Sequence, residues 1–159
     1  MAGESSVYPH AYAGALTDVS TSPGYAVGTI RVVDDPTLGR QEWVYVKNAS
    51  GALVAAYTGV MFKSDSVSFA SVDASAAGCS RPRFVGVAQH DIAIASYAWV
   101  LRKGLGTIKA SAAGLAANVS CKPVASGVFT AGTVGTDDLV AHVGAAIAAN
   151  ATGSAFIAG

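Results

Sequence analysis

Histidine is the side chain best suited to moving protons near neutral pH, and this sequence holds three: His10, His90 and His142. His90 adjoins Asp91, and His142 follows Asp137 and Asp138 by five and four residues, so an imidazole–carboxylate pair with one of 16 serines is the first chemistry to consider. A catalytic triad is defined by geometry, and no G-x-S-x-G elbow accompanies these residues. His90, Asp91, Asp137 and His142 are also the set that a metal would draw together. Yet the chain has no H-E-x-x-H, no closely spaced cysteine pair and no EF-hand loop. Gly104 and Gly106 precede Thr107-Ile108-Lys109 without the helix that a phosphate loop needs. The carboxylate pairs Asp34-Asp35 and Asp137-Asp138 stand beside turn signals, where aspartate serves the backbone. The sequence is therefore read as a non-enzyme, with no catalytic residue, no cofactor and no metal site.

Cys79 and Cys121 form neither a disulfide framework nor a zinc pattern and are read as small buried hydrophobes. All three asparagines lie in N-x-S/T triplets, at Asn48, Asn118 and Asn150. Met1 to Ser6 has neither the basic nor the apolar segment of a secretion signal, so these asparagines are read as turn residues.

Composition narrows the partners. Ten basic and ten acidic residues cancel, and 13% of the chain is charged. Phosphate-neutralising clusters are missing, so nucleic acid is not an expected partner. The apolar run 93–101 is far shorter than the ~18 residues that span a bilayer, so no membrane is expected either. Ala, Gly, Ser and Thr make up nearly half the chain, and among larger apolar residues 20 Val outnumber 7 Leu. Branching at Cβ favours pleated strands. The expected fold is all-β: a compact barrel or sandwich of short antiparallel strands with an extended N-terminal arm.

Residues 1–24 read as that arm, and residues 25–159 as a single β-rich domain. Within the arm, Val7, Tyr8, Pro9, His10 and Tyr12 form a ring-bearing cluster suited to binding a partner. Strands are predicted over 27–33, 41–47, 52–57, 66–72, 83–88, 96–102, 107–110, 119–122, 127–130, 139–146 and 154–157, with a loop over 73–80. In 66–72 the alternation predicts Val67 and Phe69 inward. The Ala-rich stretches 110–118 and 145–151 are too short and too Gly-broken for helices. Trp43, Tyr45, Tyr97 and Trp99 could stack on a sugar, but their period-two spacing marks them as core. An internal echo joins Val85-Gly86-Val87-Ala88 and Ser96 to Val100 with Val143-Gly144-Ala145-Ala146 and Ser154 to Ile157, read as a paired hairpin device.

The order of three blocks carries a resemblance. These are Gly28 to Val32 with Glu42 to Ala52, then Phe84 to Ala88 with Ser96 to Val100 and Gly104 to Ala113, then Val143 to Ala146 with Gly153 to Ile157. In this order and in its Ala/Gly/Thr-rich spacing the chain resembles the head-decoration (cement) proteins of tailed bacteriophages and related small virion proteins. The resemblance implies a homotrimer on the outer capsid surface of the virion, bound to the major capsid protein and bridging capsomers. It transfers no individual site residue. The alternatives are another virion part (tail-tube, fibre or head-completion) and a carbohydrate-binding β-sandwich.

Overall fold

The computed structural model describes residues 14–63, 67–70, 72–74 and 81–159. Within them the fold is all-β. The strands are β1 (Ile30–Asp35), β2 (Gly39–Lys47), β3 (Gly59–Phe62), β4 (Val72–Asp73), β5 (Phe84–Val87), β6 (Tyr97–Lys109), β7 (Val119–Pro123), β8 (Phe129–Ala131), β9 (Ala141–Val143) and β10 (Thr152–Ala158). Every pairing between these strands is antiparallel. The turn from β1 to β2 shows what aspartate does there: the Asp35 carboxylate accepts the Thr37 and Leu38 amides, both at 2.8 Å.

The architecture is a tandem duplication that shares one strand. The first repeat runs from β2 through β3, β4 and β5 to the first half of β6. The second runs from the second half of β6 through β7, β8 and β9 to β10. Their registers coincide. In the first, Lys47, Val46, Tyr45 and Val44 face Tyr97, Ala98, Trp99 and Val100. In the second, Lys109, Ile108, Thr107 and Gly106 face Thr152, Gly153, Ser154 and Ala155. Each repeat closes on itself through a parallel bridge, Asn48 to Val72 and Ala110 to Phe129. A second, antiparallel bridge also repeats, Val54 to Ile92 and Leu115 to Ile147. Three residues after each of those four apolar positions the backbone turns left-handed, at Tyr57, Ala95, Asn118 and Asn150, with φ of 66, 59, 57 and 58°.

Two cores follow from the alternation of side chains. Val44 and Val46 of β2 and Ala98 and Val100 of β6 point into the first repeat, with Val54, Val60, Val72 and Ile92. Trp43, Tyr45, Trp99 and Leu101 point the other way, into a larger core that contains the interior of the second repeat, including Ile108, Phe129 and Ile157. A β-bulge makes this possible. Trp43 faces Leu101 but the adjacent Glu42 faces Lys103, so Arg102 is an extra residue and the strand's faces exchange beyond it. A β-carbon on Gly106 would fall 2.3 Å from Leu101 Cδ2, which explains a glycine there. Gly104, with φ of 117°, completes the bend next to the Arg40 carbonyl.

Several sequence expectations change. Two strands predicted over 96–102 and 107–110 are one strand of 13 residues. The segment 52–57 is not a strand: Val54 makes an isolated bridge, and the strand starts at Gly59. No strand spans 67–70: Val67 is 87% exposed rather than inward, while Phe69 packs edge-on against Phe62. Val72–Asp73, placed in part in a loop, is β4, and 139–146 keeps strand only at Ala141–Val143. The internal echo is half of the full duplication, with Tyr97, not Ser96, opposite its partner as Thr152 is.

At the first closure a buried polar side chain is fully engaged. Asn48 is wholly buried; its amide donates to the Ala52, Ile92 and Ala93 carbonyls, and its oxygen accepts the Ser50 amide and hydroxyl. That triplet is a structural staple, while Asn118 and Asn150 hold exposed left-handed turns. Replacing Asn48 by alanine removes five hydrogen bonds at a fully buried position, so Asn48→Ala should cost about 2–3 kcal/mol in urea unfolding at unchanged m. Asn118→Gly should stay within about 0.5 kcal/mol, because glycine adopts that φ freely. Equal midpoints for the two variants would contradict the staple.

Candidate functional site

The residues singled out for chemistry are held apart, each by a local task. Asp91 accepts the Ala56 amide at 2.7 Å, which ties the turn at Val54 to the turn at Ile92. Beside it, both ring nitrogens of His90 are shielded from solvent without a hydrogen-bond partner. Burial pushes the His90 pKa below its ordinary 6.5, against the pull of the Asp91 and Asp18 carboxylates. At the other end, His142 on β9 faces Ser120 on β7, with Nδ1 3.2 Å from the hydroxyl. Among the described residues no carboxylate completes that pair: Asp137 is bonded to Lys122 and accepts the Thr133 amide at 2.8 Å. Those two donors hold its carboxyl below the usual range. Among the described residues no group of three potential metal ligands converges.

The Cys121 thiol is free and buried, and burial pushes its pKa up to about 12, which keeps it protonated and unreactive. Cys79 and the arm cluster Val7, Tyr8, Pro9, His10 and Tyr12 lie outside the described residues. Among those residues no helix is long and apolar enough to cross a membrane.

The aromatic quartet serves packing. Trp43, Tyr45 and Trp99 are buried, so they offer no stacking platform to solvent. They are covered by the last part of the N-terminal segment. Tyr25 packs on Tyr45 and on Trp99, with ring centroids 5.3 Å away in each case. Leu16 and Val27 pack against the same core. Polar ties fix this cover: the Gly24 amide donates to the Tyr45 hydroxyl, the Gly14 amide to the Tyr25 hydroxyl, and Arg31 to the Gly14 carbonyl. Ser20 and Tyr97 exchange two backbone hydrogen bonds.

Several large apolar side chains reach the surface. Ile30 and Val32 of β1 stand exposed, as do Leu38 in the following turn and Phe156 on β10. Two adjoining grooves meet at Leu105 and Phe156. One, of about 430 Å³, runs toward Leu38, Arg40, Glu42 and Lys103; the other, of about 370 Å³, runs toward Gly144, Ala145 and Ala146. The rim carries the Arg102–Glu42 ion pair at 3.1 Å. In the sequence Leu105 falls between two predicted strands and Phe156 inside one, so neither marks a groove; the face exchange at Arg102 turns them outward.

No family model and no curated protein matches the chain.

The buried imidazole makes a pH test. Unfolded chain takes up a proton near pH 6.5 while folded His90 resists it, so stability present above about pH 6.5 is lost as pH falls toward the lower folded pKa. The melting temperature of the protein should drop relative to that of His90→Gln between about pH 7.5 and 5.5. Parallel curves for the two proteins across that range would contradict the assignment.

Proposed function

We propose that this protein is a structural subunit of a virion that decorates the outside of a tailed-phage capsid and cements the major capsid protein lattice. It is a non-enzymatic binding module that works as a homotrimer. The observation that carries this reading is a two-repeat β-body that exposes apolar side chains and open grooves around Leu38, Leu105 and Phe156. Surfaces of that kind recognise other protein surfaces. The block order noted in the sequence supports the same class. The near-zero net charge allows many copies to crowd on one shell without mutual repulsion.

Cementing needs no strong single contact. A trimer that engages three equivalent lattice sites makes its second and third contacts intramolecularly, and each contact can then be modest. The arm cluster Val7, Tyr8, Pro9, His10 and Tyr12 supplies the latch to a neighbouring subunit. A sugar-binding role has less support, because three of its four candidate rings are core.

Purified expanded shells of the encoding phage, incubated with the protein and pelleted, should retain it at fixed stoichiometry. A chain lacking residues 1–13, which keeps Leu16 and the rest of the cover, should be retained at least about tenfold less. Full-length protein left entirely in the supernatant would refute the reading, and equal retention of the two chains would refute the role of the arm.

A further inference from the structure

The duplication allows equivalent surfaces of the two repeats to be compared. In the first repeat the outer face of the β2–β6 pair consists of Trp43, Tyr45, Trp99 and Leu101, and the segment ending at Thr29 covers it with Leu16, Tyr25 and Val27. By register the matching face of the second repeat consists of Leu105, Thr107, Ser154 and Phe156. This is the groove-lined surface, and Phe156 is 49% exposed on it. In the first case an extended segment precedes the repeat and folds over it. In the second, the chain preceding the repeat is the first half of β6 itself, already committed to the first repeat.

We infer that this face of the second repeat is a docking site for residues 1–13 of a second copy of the chain, seated as Leu16–Val27 is seated on the first repeat. Residues 1–13 lead directly into Gly14, which is pinned on the outer side of the first repeat by Tyr25 and Arg31. The face exchange at Arg102 makes that side continuous with the interior of the second repeat, as the contact between Leu101 and the Gly106 position shows. The second repeat's outer face therefore looks away from the side on which the arm leaves, and another molecule is the one positioned to receive it. A chain of thirteen residues can span at most roughly 45 Å, enough to cross to a neighbour. Val7 and Tyr8 match in type the Val27 and Tyr25 that cover the first face. Such a contact joins unlike surfaces, arm to face, and builds a head-to-tail ring. This deepens the proposed function by naming the neighbour that the arm engages, and it rests on that reading only for its use on the shell.

The test is done without any shell, so that its outcome is independent of capsid binding. Size exclusion with light scattering is applied to the full chain, to the chain lacking residues 1–13 and to Phe156→Lys, each with a melting curve to confirm folding. Ser154→Arg, at an exposed position of the same face, replaces Phe156→Lys if the latter fails to fold. The full chain should be an oligomer, and each variant should lose mass about twofold or more to become a monomer. An equimolar mixture of the two variants should form a dimer, because one supplies the arm and the other the intact face. A monomeric full chain, a variant that assembles as the full chain does, or a mixture that stays monomeric would each overturn the inference.

Discussion

One extra residue in one strand governs this molecule. β6 pairs with β2 along its first half and with β10 along its second, and Arg102 is the bulge between. Without it, Trp99 and Leu101 would share a side with Leu105 and Thr107, and the second repeat would turn its interior away from the first. With it, the aromatic exterior of one repeat becomes continuous with the interior of the other. Burying a side chain such as Leu101 stabilises by roughly 1.5–3 kcal/mol, and here that burial joins the repeats instead of closing either alone. The same exchange of faces brings Leu105 and Phe156 to the surface.

The unusual composition follows from this geometry. Two small closed sheets side by side leave little room between backbones, so glycine and alanine stand where larger groups would collide. A β-carbon on Gly86 would fall 2.5 Å from the Leu101 carbonyl oxygen, and one on Gly153 would fall 2.6 Å from Ile147. Polar side chains finish the edges that strands do not reach. Gln41 donates to the Leu105 carbonyl, while Gln89 both donates to the Thr107 carbonyl and accepts its amide, so β6 keeps its backbone partners beyond the end of β2. Asn48 does the same at the first closure.

How much of this could be read in advance varied with the kind of signal. Strands such as 41–47 and 96–102 were legible because short runs of β-branched and aromatic residues, apolar on both faces, mark a strand buried on both sides, and the aromatic positions followed as core. The duplication was only half visible. Val54-Ala55-Ala56-Tyr57, Ile92-Ala93-Ile94-Ala95, Leu115-Ala116-Ala117-Asn118 and Ile147-Ala148-Ala149-Asn150 repeat a single turn, but with left-handed positions at tyrosine and alanine they do not resemble turns as Gly or Asn would. The bulge left no local mark, since Arg102-Lys103-Gly104 reads as the end of a strand. Its consequence, the outward Phe156, was hidden with it. In 67–70 the alternation was genuine but had no partner strand, and tertiary context overrode it.

The claim beneath all of this is that β6 and its bulge fuse two repeats into one cooperative unit. Native-state hydrogen exchange on β6 and β10 tests it most directly. Slow amides of Ala98, Val100, Ile108 and Ala155 should all open with the same free energy, equal to that of global unfolding. Exchange of the second repeat's amides at a distinctly lower free energy than the first's would show two independent domains and contradict the account.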